Sequence, residues 1–277
     1  MLEFSLGFSP CPNDTFIFDA LVNQKLDASI RFHLHIEDVE TLNQMALAHR
    51  LDITKISIHA WFHVLDNYRL LSSGGALGQG CGPLLIGKRD QIPEAGRIAL
   101  PGELTTASLL FKIALPGDYE YIQMPFDQII PSIVDDRVDA GVIIHESRFT
   151  YQRHQLSCIM DLGQWWEDET DALIPLGGII VSKRIDKNHQ VQIQDLIRRS
   201  IGYAEEHPDD AASFIASNAQ ELEKEVIKEH IGLYVNAYSK DLGAFGRQSI
   251  RLLYERSCQH LLLPAHSMGL AEQLFVA

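Results

Sequence analysis

Strand-sized apolar runs alternate with helix-sized runs along the first third of the chain, and this rhythm restricts it to folds built on a mostly parallel sheet. Phe4–Phe8 predicts a strand that stops at Ser9-Pro10-Cys11-Pro12, and Asn13–Lys25 predicts the helix that follows. Ile30–Ile36 alternates strictly, with Ile30, Phe32, Leu34 and Ile36 on one face, which predicts a half-buried strand. Asp38–His49 reads as a helix, Asp52–Ile56 as a strand, Ile58–Asp66 as a helix and Arg69–Ser72 as a short strand. A glycine-rich stretch, Gly74 to Gly82, then leads through Pro83 into the strand Leu84-Leu85-Ile86-Gly87-Lys88. The second series comprises Arg97–Leu100 (strand), Thr106–Ala114 (helix), Tyr121–Met124 (strand), Phe126–Asp136 (helix) and Ala140–Ile144 (strand). From Asn188 onward the chain reads as helices.

An internal echo links the two series. Arg50-Leu51-Asp52-Ile53 precedes a strand ending at Ser57, and Arg137-Val138-Asp139-Ala140 precedes one ending at His145. Two similar α/β lobes with matching strand ends place Ser57 and His145 across one cleft, and in open α/β sheets ligands sit at the carboxyl ends of strands. Gly177-Gly178-Ile179-Ile180-Val181-Ser182-Lys183 repeats the pattern of Gly82-Pro83-Leu84-Leu85-Ile86-Gly87-Lys88, so the two segments read as paired crossovers. The expected architecture is a two-lobed α/β fold like the class II periplasmic-binding proteins, with a cleft between the lobes. Residues 1–88 and 180–277 form a discontinuous lobe one that includes the C-terminal helices, and residues 89–179 form lobe two.

Composition narrows the partners. The 277 residues are 46% hydrophobic and 22% charged, which suits a globular chain with a sizeable core. A net charge of −14 argues against nucleic acid and anionic membrane as partners. An anionic ligand must therefore be held by local devices, such as helix N-termini and single cations. No run approaches the roughly 18 apolar residues of a membrane span. The N-terminus lacks the basic and apolar regions of a signal peptide. Cys11, Cys81, Cys158 and Cys258 are scattered without CxxC spacing, as expected for reduced thiols in the cytoplasm.

Several residues carry candidate chemistry, each beside a plainer reading. His145 ends an apolar strand and reads either as a general base or as a histidine that satisfies a turn. Ser57 and Thr105-Thr106 precede helices, so each reads as an N-cap, an anion site, or both. Lys55 lies two residues before Ser57 on the same strand and is either the cleft's cation or a rim residue. Cys11, in a stiff turn with two prolines, has no identifiable base and reads as a structural wall of the cleft. Gly74 to Gly82 does not fit GxGxxG and lacks GK[ST], so it reads as flexible backbone and not a nucleotide loop. His33, His35 and Glu37, or His59 and His63, lack the geometry of a metal site and read as solvated or packed histidines. No metal is expected. The Trp165-Trp166-Glu167-Asp168-Glu169 segment reads as a lid or a surface loop.

Taken together, the motifs resemble the 1,4-dihydroxy-6-naphthoate synthase family of the futalosine route to menaquinone. The resemblance runs along most of the chain. It rests on Ser9-Pro10-Cys11-Pro12-Asn13-Asp14-Thr15-Phe16, Asp38-Val39-Glu40-Thr41-Leu42-Asn43, Thr54-Lys55-Ile56-Ser57 and Gly75-Ala76-Leu77-Gly78-Gln79-Gly80-Cys81-Gly82-Pro83. Pro101-Gly102, Thr105-Thr106-Ala107, Gly141-Val142-Ile143-Ile144-His145-Glu146 and Pro175-Leu176-Gly177-Gly178 extend it, and Tyr234-Val235-Asn236 and Leu242-Gly243 agree more loosely. It implies a class II solute-binding fold and cleavage of cyclic dehypoxanthine futalosine to 1,4-dihydroxy-6-naphthoate and dihydroxyacetone without a redox cofactor. It also implies His145 as proton acceptor, and Lys55, Ile56, Ser57, Thr106 and Ala107 as residues that hold a small carboxylate substrate, with Asn43 a weaker contact. Two alternatives stand beside it. A chorismate dehydratase-like enzyme of the same pathway is disfavoured by Thr-Lys-Ile-Ser and His-Glu. A non-catalytic organic-acid solute-binding protein is disfavoured by the missing signal peptide and lipoprotein cysteine.

Overall fold

Backbone pairing sorts the strands into two sheets. The computed structural model describes residues 2–26, 29–219, 223–263 and 272–276. The opening series is β1 (Leu2–Phe8), α1 (Pro12–Val22), β2 (Ile30–Ile36), α2 (Val39–Leu47), β3 (Ile53–Ser57), α3 (Ile58–Trp61), β4 (Tyr68–Leu70) and β5 (Ala76–Gly78). The chain then runs through β6 (Leu84–Gly87), β7 (Arg97–Leu100), α4 (Thr106–Ala114), β8 (Glu120–Gln123), α5 (Ile129–Val134) and β9 (Ala140–Ile143). After α6 (Ser147–Thr150), β10 (Ser157–Asp161) and α7 (Leu162–Thr170), it returns in β11 (Ile174–Ser182). Helices α8 (Lys187–Glu206), α9 (Ala212–Asn218), α10 (Lys224–Tyr234), α11 (Ala237–Lys240) and α12 (Gly243–Gln259) follow. Among the described residues no helix is long and apolar enough to cross a membrane.

The first sheet has the order β2-β1-β3-β11-β4, with β5 also paired to β11, and the second has the order β10-β6-β9-β7-β8. Each has a parallel set, β2-β1-β3 and β9-β7-β8, extended by antiparallel strands. The passages between sheets come earlier than the sequence pattern implied. Leu84–Gly87, expected to close lobe one, is paired with β9 and β10 in the second sheet. Ile174–Ser182 lies wholly in the first sheet, so the return precedes residue 180. An apolar run reveals a strand but not which sheet its hydrogen bonds join.

Local chemistry sets the element ends. Pro12 occupies the first turn of α1, where a missing N–H costs nothing. Asp38 caps α2 by accepting from Glu40 N and Thr41 N, and Asp161 caps α7 by accepting from Gly163 N and Gln164 N. The predicted helix Ile58–Asp66 shrinks to one turn. Trp61 and Phe62 are both buried and pack against Phe275 and Tyr254. At the sheet edge, β2 leaves Leu34 41% exposed instead of turning it into the core.

Alternation along β11 divides the core of the first sheet. Ile179 and Val181 join Leu6, Phe8, Ile17, Phe18, Ile193 and Ile197, which covers the face under α1 and α8. Ile180 faces the other way, into a cluster that continues through Trp61, Leu100, Leu110 and Val142 to the second sheet. This shared cluster welds the two sheets along one side of the cleft. The Trp165-Trp166 pair lies in α7. Trp166 is fully buried there and donates its Nε1–H to Leu173 O at 3.0 Å, so the segment is neither lid nor surface loop.

Gly74 to Gly82 contains β5, and its Gly80 N donates to Glu167 Oε1 at 2.7 Å, so hydrogen bonds order a stretch expected to be flexible. At its end Gly82 lies against Gly163, and a Cβ on residue 82 would stand 2.3 Å from Gly163 Cα and 2.6 Å from its N. Backbone cannot yield as a side-chain tip can. Gly82→Ala should therefore destabilise the fold by about 1–3 kcal/mol, the usual range for overpacking. Urea unfolding measures it, and an unchanged midpoint would show that the two segments separate freely.

Candidate active site

A cleft of about 700 Å³, counted out to open solvent, is walled by both sheets. Lys55, Ile56 and Ser57 reach it from the end of β3, Thr106 and Ala107 from the first turn of α4, and His145 from just beyond β9. The strand ends that echo each other in sequence thus face one space. Asn43 does not line it. It is fully buried behind Ser57, where its Oδ1 accepts from Ser57 N at 3.0 Å and its Nδ2 donates to Ser57 Oγ at 3.2 Å. Its amide positions Ser57 instead of reaching the cleft.

The cation is balanced from below. Lys55 is 6% exposed, and its Nζ lies 3.2 Å from Asp14 Oδ1. Asp14 itself is held by Ser9 Oγ, which donates to Oδ2 at 2.8 Å, and by Asn13 Nδ2, which donates to Oδ1 at 2.9 Å. Ser9-Pro10-Cys11-Pro12-Asn13-Asp14 therefore does more than cap α1, because it supplies the counter-charge that lets a lysine sit in a cleft wall. Thr105 does cap α4, by accepting from Ser108 N at 3.2 Å. The Thr106 hydroxyl is committed within the protein, donating to Leu176 O at 2.7 Å and accepting from His59 N at 3.3 Å. What α4 can offer a ligand is its first-turn N–H groups, which a helix cannot satisfy internally.

His145 adopts a left-handed backbone, with φ 56°. Histidine is among the residues that enter this region, at a cost of order 1–3 kcal/mol, and such costs gather at functional sites. The ring packs on Phe126, with centroids 5.0 Å apart, and stacks 6.2 Å from His230 at an interplanar angle of 7°. Burial holds its pKa below the ordinary histidine value, partly offset by Glu146 and Asp14. The imidazole is thus kept neutral, as a proton acceptor requires. Glu146, Cys11 and His230 gather on its inner side, and burial pushes the Cys11 thiol well up. Among the described residues Cys11, His145 and Glu146 are the one group of at least three His, Cys, Asp or Glu side chains placed to share a metal ion. His230, far along the chain on α10, gave no signal in the sequence.

The other histidine sets take plain roles. His59 Nδ1 donates to Thr105 O at 3.2 Å, and burial pushes the ring down to about 3. His33 is solvated and contacts Glu3 at 3.0 Å.

Two sheets meeting at a cleft lined by strand ends define a protein of the periplasmic-binding-protein fold. The solved alkanesulfonate-binding protein of Xanthomonas axonopodis pv. citri shares that fold with a TM-score of 0.75 at 13% identity, covering 99% of this chain and 98% of that one. The family profile described as menaquinone biosynthesis matches residues 4–259. The 1,4-dihydroxy-6-naphtoate synthase of Thermus thermophilus is 43% identical over 267 residues, covering 96% of this chain and 98% of the relative. That of Streptomyces coelicolor is 40% identical over 266 residues, covering 94% of each. The chain belongs to the 1,4-dihydroxy-6-naphthoate synthase family of menaquinone biosynthesis.

Asn43→Ala leaves Ser57 N–H without its acceptor, and an unmade buried hydrogen bond costs about 1–3 kcal/mol. The variant should lose stability by that amount and raise KM while kcat stays near wild type. Denaturant titration and steady-state kinetics test this. A fall in kcat at unchanged KM would place Asn43 in the chemistry.

Proposed function

We propose that the protein is a carbon–carbon lyase that converts cyclic dehypoxanthine futalosine to 1,4-dihydroxy-6-naphthoate and dihydroxyacetone, with His145 as proton acceptor. The observation that carries this reading is a neutral, half-buried imidazole held in the cleft just beyond β9, across from Lys55, Ser57 and the start of α4. The substrate carboxylate is held by the Lys55 ammonium, the Ser57 hydroxyl and the free N–H groups of Thr106 and Ala107. Each interacts with the acid before and after bond cleavage, so the group orients the substrate more than it lowers the barrier. His145 takes a proton from the bound substrate. The electron pair released breaks the carbon–carbon bond, and the new aromatic ring supplies the driving force. One lobe rests on each sheet, and closure of the lobes around the substrate excludes water and fixes the reacting atoms.

His145→Asn separates this enzyme from a protein of the same fold that only captures an acid. Asparagine tolerates the left-handed backbone that residue 145 adopts. It keeps a hydrogen-bonding side chain but cannot accept a proton near neutral pH. A positioned base contributes roughly 10²–10⁴-fold, so naphthoate formation should fall by that factor. Calorimetry should still detect substrate binding. Full turnover in the variant would remove His145 from the mechanism, and equal loss of binding and rate would make it a substrate clamp.

A further inference from the structure

Three distant segments bring lone pairs together beneath His145. Cys11 Sγ, a ring nitrogen of His145 and a carboxylate oxygen of Glu146 lie within 4.8 Å of one another. His230 Nδ1 lies 3.7 Å from Glu146 Oε2. The tautomer of His230 follows from its neighbours. Asn13 Nδ2 donates to Asp14 Oδ1 at 2.9 Å, so Asn13 Oδ1 points at His230 and accepts its Nε2–H at 2.8 Å. Burial and the adjacent His145 ring keep His230 neutral, with its pKa pushed down to about 3, so Nδ1 carries a lone pair. A histidine that gives one N–H to a fixed acceptor and presents its other nitrogen is oriented as metal-bound histidines are.

His145 Nε2, Glu146 Oε2 and His230 Nδ1 are all sealed from solvent and lack a hydrogen-bond partner. Buried polar atoms in that condition are rare, and here three stand together on residues 145, 146 and 230. One proton between Glu146 and His230 satisfies two of them and leaves His145 Nε2 bare. One divalent ion satisfies all three and adds sulfur.

We propose that Cys11, His145, Glu146 and His230 form a binding site for a borderline-soft divalent cation of the Zn²⁺ class, and that the bound ion blocks turnover. Sulfur, two nitrogens and one oxygen make a donor set that zinc takes tetrahedrally at about 2.0–2.3 Å. Cys11, His145 and Glu146 offer ligand atoms within 4.8 Å of one another and His230 Nδ1 lies 3.7 Å from Glu146 Oε2, so the side chains must close in to the roughly 3.3–3.8 Å that separates ligand atoms around zinc. On binding, the Cys11 thiol gives its proton to solvent. Thiolate and carboxylate then balance the two positive charges, so the loaded site is neutral. The ion occupies lone pairs of His145, which ends its service as a base. Binding stands on the geometry alone, whereas inhibition rests on the reading of His145 as proton acceptor.

Co²⁺ added to chelator-treated protein is the direct probe. One equivalent should give an intense tetrahedral visible spectrum with a sulfur-to-cobalt charge-transfer band, and Cys11→Ser should abolish that band. His230→Gln should weaken Zn²⁺ at least tenfold, read by competition with a chromophoric chelator. One equivalent of Zn²⁺ should silence the wild-type enzyme, and excess chelator should restore it. Thermal melts establish that each variant is folded, and either variant alone suffices if the other is not. A weak octahedral spectrum without the charge-transfer band, or Zn²⁺ affinity unchanged in the folded variants, would overturn the site. A tetrahedral spectrum with turnover intact would uphold the metal site and overturn the assignment of His145 as base.

Discussion

The nine residues of Ile174–Ser182 hold hydrogen bonds to three other strands, and the rest of the molecule is arranged around them. Gly177 stands opposite Ser57 in the ladder, where a Cβ would come 3.0 Å from Ile56 O. One residue earlier, Leu176 O receives the Thr106 hydroxyl from the second sheet's first long helix. The two walls of the cleft therefore meet on one strand, one through the backbone ladder and the other through the Thr106 hydroxyl. A site that orients a reactant needs that kind of reference point, because a misplacement near 1 Å already costs rate.

Costly groups concentrate within this frame. Lys55 and Asp14 are both nearly buried, and a buried ion pair is weak evidence for stability, since desolvation consumes most of its attraction. His145 adds its backbone strain. The core absorbs these terms. Fully burying a Phe or Leu side chain contributes about 1.5–3 kcal/mol, and Leu6 and Phe8 of β1 with Ile17 and Phe18 of α1 offset the strain several times over. The cluster immediately behind the cleft supports chemistry that the site alone would destabilise.

Legibility in the sequence followed the range of the interactions involved. Arg97–Leu100 and Thr106–Ala114 agree with the structure to the residue, because periodicity and a threonine cap are local. The facing of Ser57 and His145 was readable because the same strand-end pattern occurs twice. Sheet membership was not, since Leu84–Gly87 has the composition of a buried strand in either sheet. The Asp14 counter-charge and the His230 contact were invisible for a related reason. Asn13 and Asp14 lie in the first turn of α1, and only the folded chain shows that one faces His230 and the other Lys55. The Gly82–Gly163 approach likewise joins two segments that nothing in the sequence pairs.

The pairing of β11 also fixes an order of events during synthesis. The second sheet is built entirely from residues 84–161, so it can close as soon as that segment leaves the ribosome. The first sheet contains the earliest strands but lacks β11, which joins β3 to β4 and β5, until residue 182 has emerged. At about 5–20 residues per second, the edge of β3 bearing Lys55, Ile56 and Ser57 waits on the order of ten seconds for its partner. An unpaired apolar edge is the usual template for wrong association. The strand that lines the cleft of the mature protein is thus, in the nascent chain, an edge still waiting for its partner.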